Sequence, residues 1–205
     1  MSLALTVQSA PKPEINLDNV QQAFMTTWKP TESFEFFCRR IHEMHLKVLH
    51  DSEGKTPNYS FVTQSSGYGK SRLLGQLYQK FNMAYMCLRP SLSNGYPRRT
   101  NEIFVFLDGL RGKSSTVAEA ELKRFMGNIL LQYQEFLLEN QSNDILEARR
   151  VLASSDTEFF HSFWKSVVTR EDEEKPSAFP SEVLVLVIDE ARFLSQTTIG
   201  ETNLF

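Results

Sequence analysis

The run Val-Leu-Val-Leu-Val-Ile at positions 183–188 constrains the fold of this chain more than any other stretch. Branched and aliphatic residues follow one another with no polar alternation, so a strand built from them has no face to offer water. Such a strand needs cover on both sides, which is the arrangement of a parallel sheet between helices. The run is also far too short to cross a bilayer. A charged loop punctuated by prolines, "TREDEEKPSAFPS", launches it, and it ends in Asp189 and Glu190. Ligands of open α/β sheets bind at the carboxyl ends of the strands, so this acidic pair stands where chemistry is expected.

The rest of the chain reads as strands and helices that can flank such a sheet. Its 205 residues, 41% hydrophobic and 12% aromatic, suffice for one large domain or a small domain with an appendage. Residues 1–29 are expected to form an N-terminal arm, with Pro11 and Pro13, and a short helix over "LDNVQQAFMTTW". Residues 30–205 are expected to form the domain. From Thr31 to Leu49 the residues Phe34, Phe37, Cys38, Ile41, His45 and Val48 recur at helical spacing. "YSFVTQ" and "MAYMCLR" read as short strands, and "KSRLLGQLYQKF" between them as a helix with Leu73, Leu74, Leu77, Tyr78 and Phe81 on one face. The loop "PSLSNGYPRRT" is rich in turn formers. "TNEIFVFLDGL" is compatible with helix or strand, and helix is preferred. "STVAEAELKRFMGNILLQYQEFLLEN" carries the clearest helical stripe, through Ala118, Leu122, Phe125, Ile129, Tyr133, Phe136 and Leu137. Thr116 and Glu119 have capping-box spacing at its start. "DILEARRVLA" and "DTEFFHSFWKSVV" follow as shorter helices.

The stretch "FVTQSSGYGKSRLL" holds the second chemical signal. Backbone N–H groups can converge on a phosphate when glycines permit positive φ and close approach, and when a helix N-terminus faces the anion. Gly67 and Gly69 flank Tyr68, and Lys70 and Ser71 open a predicted helix after a predicted strand. That context is the one required by the phosphate-binding motif G-x-x-x-x-G-K-[ST], although Gln64 occupies the place of its first glycine. On this reading the amides of Ser66, Gly67, Tyr68, Gly69, Lys70, Ser71 and Arg72 surround the phosphates. Lys70 reaches the β- and γ-phosphates, and Ser71 ligates Mg²⁺. Asp189 would hold the same Mg²⁺ through water, and Glu190 would polarise the attacking water.

With "SSGYGKSR" and "VLVIDEARFL" both in view, the chain resembles a P-loop NTPase of the Walker B "DE" class, which includes the AAA+ and STAND ATPases. More narrowly, "QSSGYGKSRLL", "CLRPSLSNGYPRR" and "IDEARFL" resemble ATPase-like domains expanded in fungi and oomycetes, among them the NTPase modules of Crinkler-type effectors. The resemblance implies an α/β fold, a parallel sheet flanked by helices, with ATP rather than GTP as nucleotide and Mg²⁺ as cofactor. No N-K-x-D segment that could read guanine is present. It also implies a further strand between the P-loop strand and the Walker B strand, a polar sensor, an arginine finger and a helical lid. Only "ARFLSQTTIGETNLF" follows Glu190, so the sheet is expected to be incomplete and the chain truncated after Walker B. Residues 101–168, which separate the two motifs widely, are expected to be a helical insertion and a surface for a protein partner.

The expected function is therefore ATP binding, with Mg²⁺-dependent hydrolysis coupled to a conformational or assembly step as the parent activity. Two alternatives stand beside it: a nucleotide-binding or interaction module without turnover, and a small-molecule kinase. A net charge of -3 offers no basic field for nucleic acid or anionic lipid. The start "MSLALTVQSAPKPEIN" lacks the features of a secretory signal, and an intracellular location is expected. Cys38 and Cys87 make no disulfide framework and read as buried free thiols. His42 and His45 lie three apart rather than at the i, i+4 spacing of a helical zinc pair, and His45 reads as a core histidine. Arg98 and Arg99 read as a solvated turn, and Arg72 and Arg192 as structural ion-pair partners.

Overall fold

The computed structural model describes residues 19, 21–22, 26, 31–51, 69–90, 96–140, 145–154, 156–171, 183–190, 198–199 and 202–203. Within them the chain is a mostly helical α/β structure of six α-helices and a two-stranded parallel sheet, with one short antiparallel pair. The strand expected over "YSFVTQ", the N-terminal arm and the loop "EDEEKPSAFPS" lie largely or wholly outside the described residues.

Helix α1 spans Glu32–His50 and starts where Thr31 caps it, the Thr31 hydroxyl accepting from the Phe34 amide at 3.3 Å. Glu32 and Glu35 lie in its first turn and Lys47 and His50 in its last, each sign matched to the helix dipole. Phe34 and Cys38 are buried, whereas His45 is only half-buried and is no core residue. Helix α2, Lys70–Gly75, is shorter than its apolar pattern predicts. At Gln76 the chain tightens into a 3₁₀ turn over Gln76–Gln79, as the Gln76 amide reaches the carbonyls of Arg72, Leu73 and Leu74. The change of pitch still buries Leu77, Tyr78 and Phe81.

Strand β1, Asn82–Cys87, is buried along its whole length. Four helices follow: α3 Asn101–Asp108, α4 Ser115–Glu139, α5 Ile145–Leu152 and α6 Glu158–Thr169. The cap of α4 is Ser114, whose hydroxyl accepts from the Val117 amide at 3.4 Å. Thr116 therefore lies inside the first turn and is not the capping residue; Ser114 precedes it in extended backbone, the conformation a cap requires. The expected stripe of α4 is buried at Ala118, Phe125, Ile129, Tyr133 and Phe136. It also contains Asn128, whose amide donates to the Val167 and Arg170 carbonyls at 2.9 and 3.0 Å. These bonds satisfy carbonyls at the end of α6 that the helix itself leaves open.

Strand β2, Leu184–Asp189, pairs parallel with β1 from Asn82↔Leu184 to Cys87↔Asp189. The two-residue strands β3, Thr198–Ile199, and β4, Thr202–Asn203, pair antiparallel, an element the sequence reading did not anticipate. One hydrophobic core runs through these elements. Met83, Tyr85 and Val187 of the sheet share it with Ile103, Phe125, Phe160 and Trp164 of the helices. Each such side chain contributes about 1.5–3 kcal/mol on burial. The helices of residues 101–168 thus help to cover β1, whereas β2 lacks the two-sided cover expected from its sequence. Of its apolar residues Val187 is buried, Leu184, Val185 and Leu186 are half-buried, and Ile188 is 38% exposed.

The outer edge of β1 is closed by side chains. The Met83 amide donates to the Tyr133 hydroxyl at 3.0 Å, and the Trp164 indole donates to the Tyr85 carbonyl at 3.0 Å. Thr100 completes the edge at Cys87, its hydroxyl accepting from the Cys87 amide at 3.0 Å and its amide donating to the Cys87 carbonyl at 2.9 Å. These bonds occupy the Met83 and Cys87 amides and the Tyr85 and Cys87 carbonyls, groups that another strand would need for pairing along that edge.

Candidate functional site

The two chemical signals lie on elements that touch. Gly69 is the residue before α2 and adopts φ 79°, ψ 18°, a left-handed conformation that glycine takes without steric penalty. The Leu73 amide then closes the first helical bond onto the Gly69 carbonyl at 2.8 Å. Lys70, Ser71 and Arg72 form the first turn and are half-buried. Ser66, Gly67, Tyr68 and Arg192 lie outside the described residues. Helix α2 packs against β2, the strand that ends in Asp189.

Asp189 is 6% exposed at the carboxyl end of β2. Its carboxylate is held at both oxygens. The Tyr85 hydroxyl donates to Oδ2 at 2.6 Å, and the Glu190 amide donates to Oδ1 at 2.9 Å. Burial, with the Asp189 carboxylate beside it, keeps the Tyr85 phenol well above its ordinary range, so the phenol remains a donor. Burial first and Asp189 second also push the Cys87 thiol up to about 11. Cys38 is raised to about 11 as well, by burial and then by Glu35. Both cysteines are free, buried and protonated at neutral pH, as expected.

Glu190 follows with φ 55°, the one described non-glycine residue in the left-handed region. A side chain in that conformation costs roughly 1–2 kcal/mol, and such strain gathers at functional sites. Its carboxylate stands 3.6 Å from the Arg89 guanidinium, the two side chains being 42% and 15% exposed. Arg89 is itself anchored, donating to the Pro97 carbonyl at 3.2 Å and the Tyr96 carbonyl at 3.3 Å. The loop after β1, which includes the cis Tyr96–Pro97 bond, thus holds the arginine that meets Glu190.

The buried Asp189 carboxylate at the strand tip and the Ser71 hydroxyl in the first turn of α2, a helix packed against that strand, would make a sparse set of oxygen donors. Such a set suits Mg²⁺, which keeps several waters and takes further oxygens from phosphate, better than it suits a cation needing an all-protein cage. Arg98, Arg99 and His42 have structural partners. Arg98 pairs with Asp156 at 3.2 Å, while Arg99 donates to Asn101 at 2.8 Å and lies 4.2 Å over the Phe104 ring. His42 packs at 5.0 Å against the Phe81 ring.

Sequence reasoning missed Tyr85, Arg89 and Thr100. Tyr85 is the one hydroxyl-bearing side chain in "NMAYMC", and Arg89 follows that strand directly, which were the available signals. Neither says which residue across the sheet it will meet.

The fold and this site define an α/β protein with an acidic pair at the carboxyl end of a parallel strand. The chain belongs to the family described as a domain of unknown function (DUF8735), which matches residues 29–198. No curated protein and no solved structure matches it. Among the described residues no helix is long and apolar enough to cross a membrane.

Proposed function

We propose that the chain is an ATP-binding domain of the P-loop NTPase type, with Mg²⁺-dependent ATP hydrolysis as the parent activity. One observation carries the reading: a helix that opens with Gly69 in the left-handed conformation, followed by Lys70 and Ser71, packs against the strand whose tip bears the buried Asp189. The parallel pairing of β1 with β2 supports it, because it places the strand after the glycine-lysine turn beside the strand ending in the acidic pair.

On this reading backbone amides from Ser66 to Arg72 bind the phosphates, and Lys70 offsets their charge. Ser71 and Asp189 would hold Mg²⁺, which when bound neutralises charge on the β- and γ-phosphate oxygens. Glu190 orients water for in-line attack once its carboxylate is released from Arg89. A second reading, nucleotide binding without turnover, is favoured by that Arg89–Glu190 contact, which occupies the proposed base.

Calorimetric titration of ATP into the protein and its Lys70→Ala variant tests the proposal. The lysine's loss should weaken binding roughly tenfold to a hundredfold, the worth of a hydrogen bond to a charged group. Equal affinity in the two proteins overturns the phosphate-binding assignment. Phosphate release by the protein and by Glu190→Gln then separates the two readings. Turnover abolished in the variant, with ATP affinity retained, marks Glu190 as the base; absent turnover in both marks a binding module.

A further inference from the structure

We propose that Tyr85 is the positioning residue for the metal-binding carboxylate: its buried hydroxyl fixes the orientation in which Asp189 would receive hydrated Mg²⁺ beside a bound nucleotide. The inference rests on the nucleotide-binding reading above and deepens it.

A carboxylate at a strand tip rotates about its terminal bond unless each oxygen has a donor. Here each has one, Tyr85 at Oδ2 and the Glu190 amide at Oδ1. An ionised carboxylate oxygen accepts more than one bond, so both keep capacity for a metal-bound water. The donor at Oδ2 is rigid. Tyr85 is 0% exposed, and the Trp164 indole grips its carbonyl, which ties the tyrosine to α6. A path of direct contacts therefore runs from the helical block through β1 to the tip of β2.

The chemistry of the donor also matters. A phenol orients the carboxylate without cancelling its charge, whereas a guanidinium in the same place would compete with a cation for it. The guanidinium in this corner, Arg89, is directed to Glu190. Partners of this kind hold metal ligands in place, and their loss typically costs about 10–100-fold in metal affinity. Were the Tyr85 bond only a means of satisfying a buried carboxylate, its removal would lower stability and leave metal binding as it was.

The test is Mn²⁺ affinity of the ATP complex by electron paramagnetic resonance, beside ATP affinity in EDTA, for the full chain and for Tyr85→Phe and Asp189→Asn. The phenylalanine keeps the ring packing and deletes the donor. The proposal expects Tyr85→Phe to retain metal-free ATP affinity and to lose Mn²⁺ affinity roughly tenfold or more. Mn²⁺ affinity unchanged in Tyr85→Phe but lost in Asp189→Asn overturns the role of Tyr85 and leaves the nucleotide reading standing. No ATP binding by the parent protein, with or without metal, overturns both. Should Tyr85→Phe fail to fold, fluorotyrosine at position 85 retains the hydroxyl and reports on the same bond. Ring fluorination changes the strength of the hydroxyl as a donor, so Mn²⁺ affinity changes if the proposal holds and stays that of the parent if it does not.

Discussion

Gly69 and Glu190 share an unusual backbone conformation, and only one of them is suited to it. At φ 79° Gly69 turns the chain into α2, and a Cβ built there meets nothing within 4 Å. The cost of Gly69→Ala is thus conformational rather than steric: stability is expected to fall by about 1–2 kcal/mol, read from urea denaturation midpoints. A variant as stable as the parent would mean that the turn relaxes into another conformation. Glu190, at φ 55°, carries the opposite imbalance. Glu190→Gly should raise stability by a similar amount, about 1 kcal/mol in the same assay, while removing the candidate base. Stability gained with function lost is the expected mark of a residue kept for chemistry.

The strands decide where the sheet can grow. Tyr133, Trp164 and Thr100 occupy backbone groups along the outer edge of β1, which disfavours further pairing there. Tyr133→Phe keeps the ring in the core and leaves the buried Met83 amide without its partner, at an expected cost of about 1–3 kcal/mol in denaturation. Amide exchange adds a local readout: Met83 should exchange faster in that variant while the amides paired to β2 stay protected. Uniform loss of protection would mean that the edge is not a separate unit. The helices carry a comparable lesson. The apolar stripe of α4 was legible from its period, yet Asn128 within it was not, because its bonds to Val167 and Arg170 require α6 to be in place. The stop of α2 at Gly75 was likewise hidden: the hydrophobic spacing continues through Phe81 while the backbone changes pitch.

Across the molecule the two thiols report on the common core. Their folded values of about 11 stand above the ordinary 9.0, because burial penalises the thiolate. Unfolded chains release these protons above pH 9.0 while folded chains keep them, so the thiol contribution to stability is complete below that pH. It is lost as pH rises through about 11, and thermal midpoints should decline across that window. Replacing Cys38 and Cys87 with alanine should flatten the decline, though part of it will remain because Tyr85 shifts in the same direction. Native protein should also react slowly with aromatic disulfides at neutral pH and rapidly once denatured. Fast reaction of the folded protein would place the thiols outside the core.

By itself the sequence determined the local matters: an apolar strand, helices with readable stripes, the glycine-lysine-serine turn and the acidic pair. Each is set by residues within a few positions of one another, where side-chain period and backbone freedom act directly. Only the tertiary structure decided which strand lies beside β2, how the edge of β1 is closed and what holds Asp189. Tyr85 and Asp189 are 104 residues apart, and in a linear reading the tyrosine is one more core aromatic. Its hydroxyl acquires a role only when packing brings a carboxylate to it, because a hydrogen bond depends on a few tenths of an ångström that no local pattern encodes.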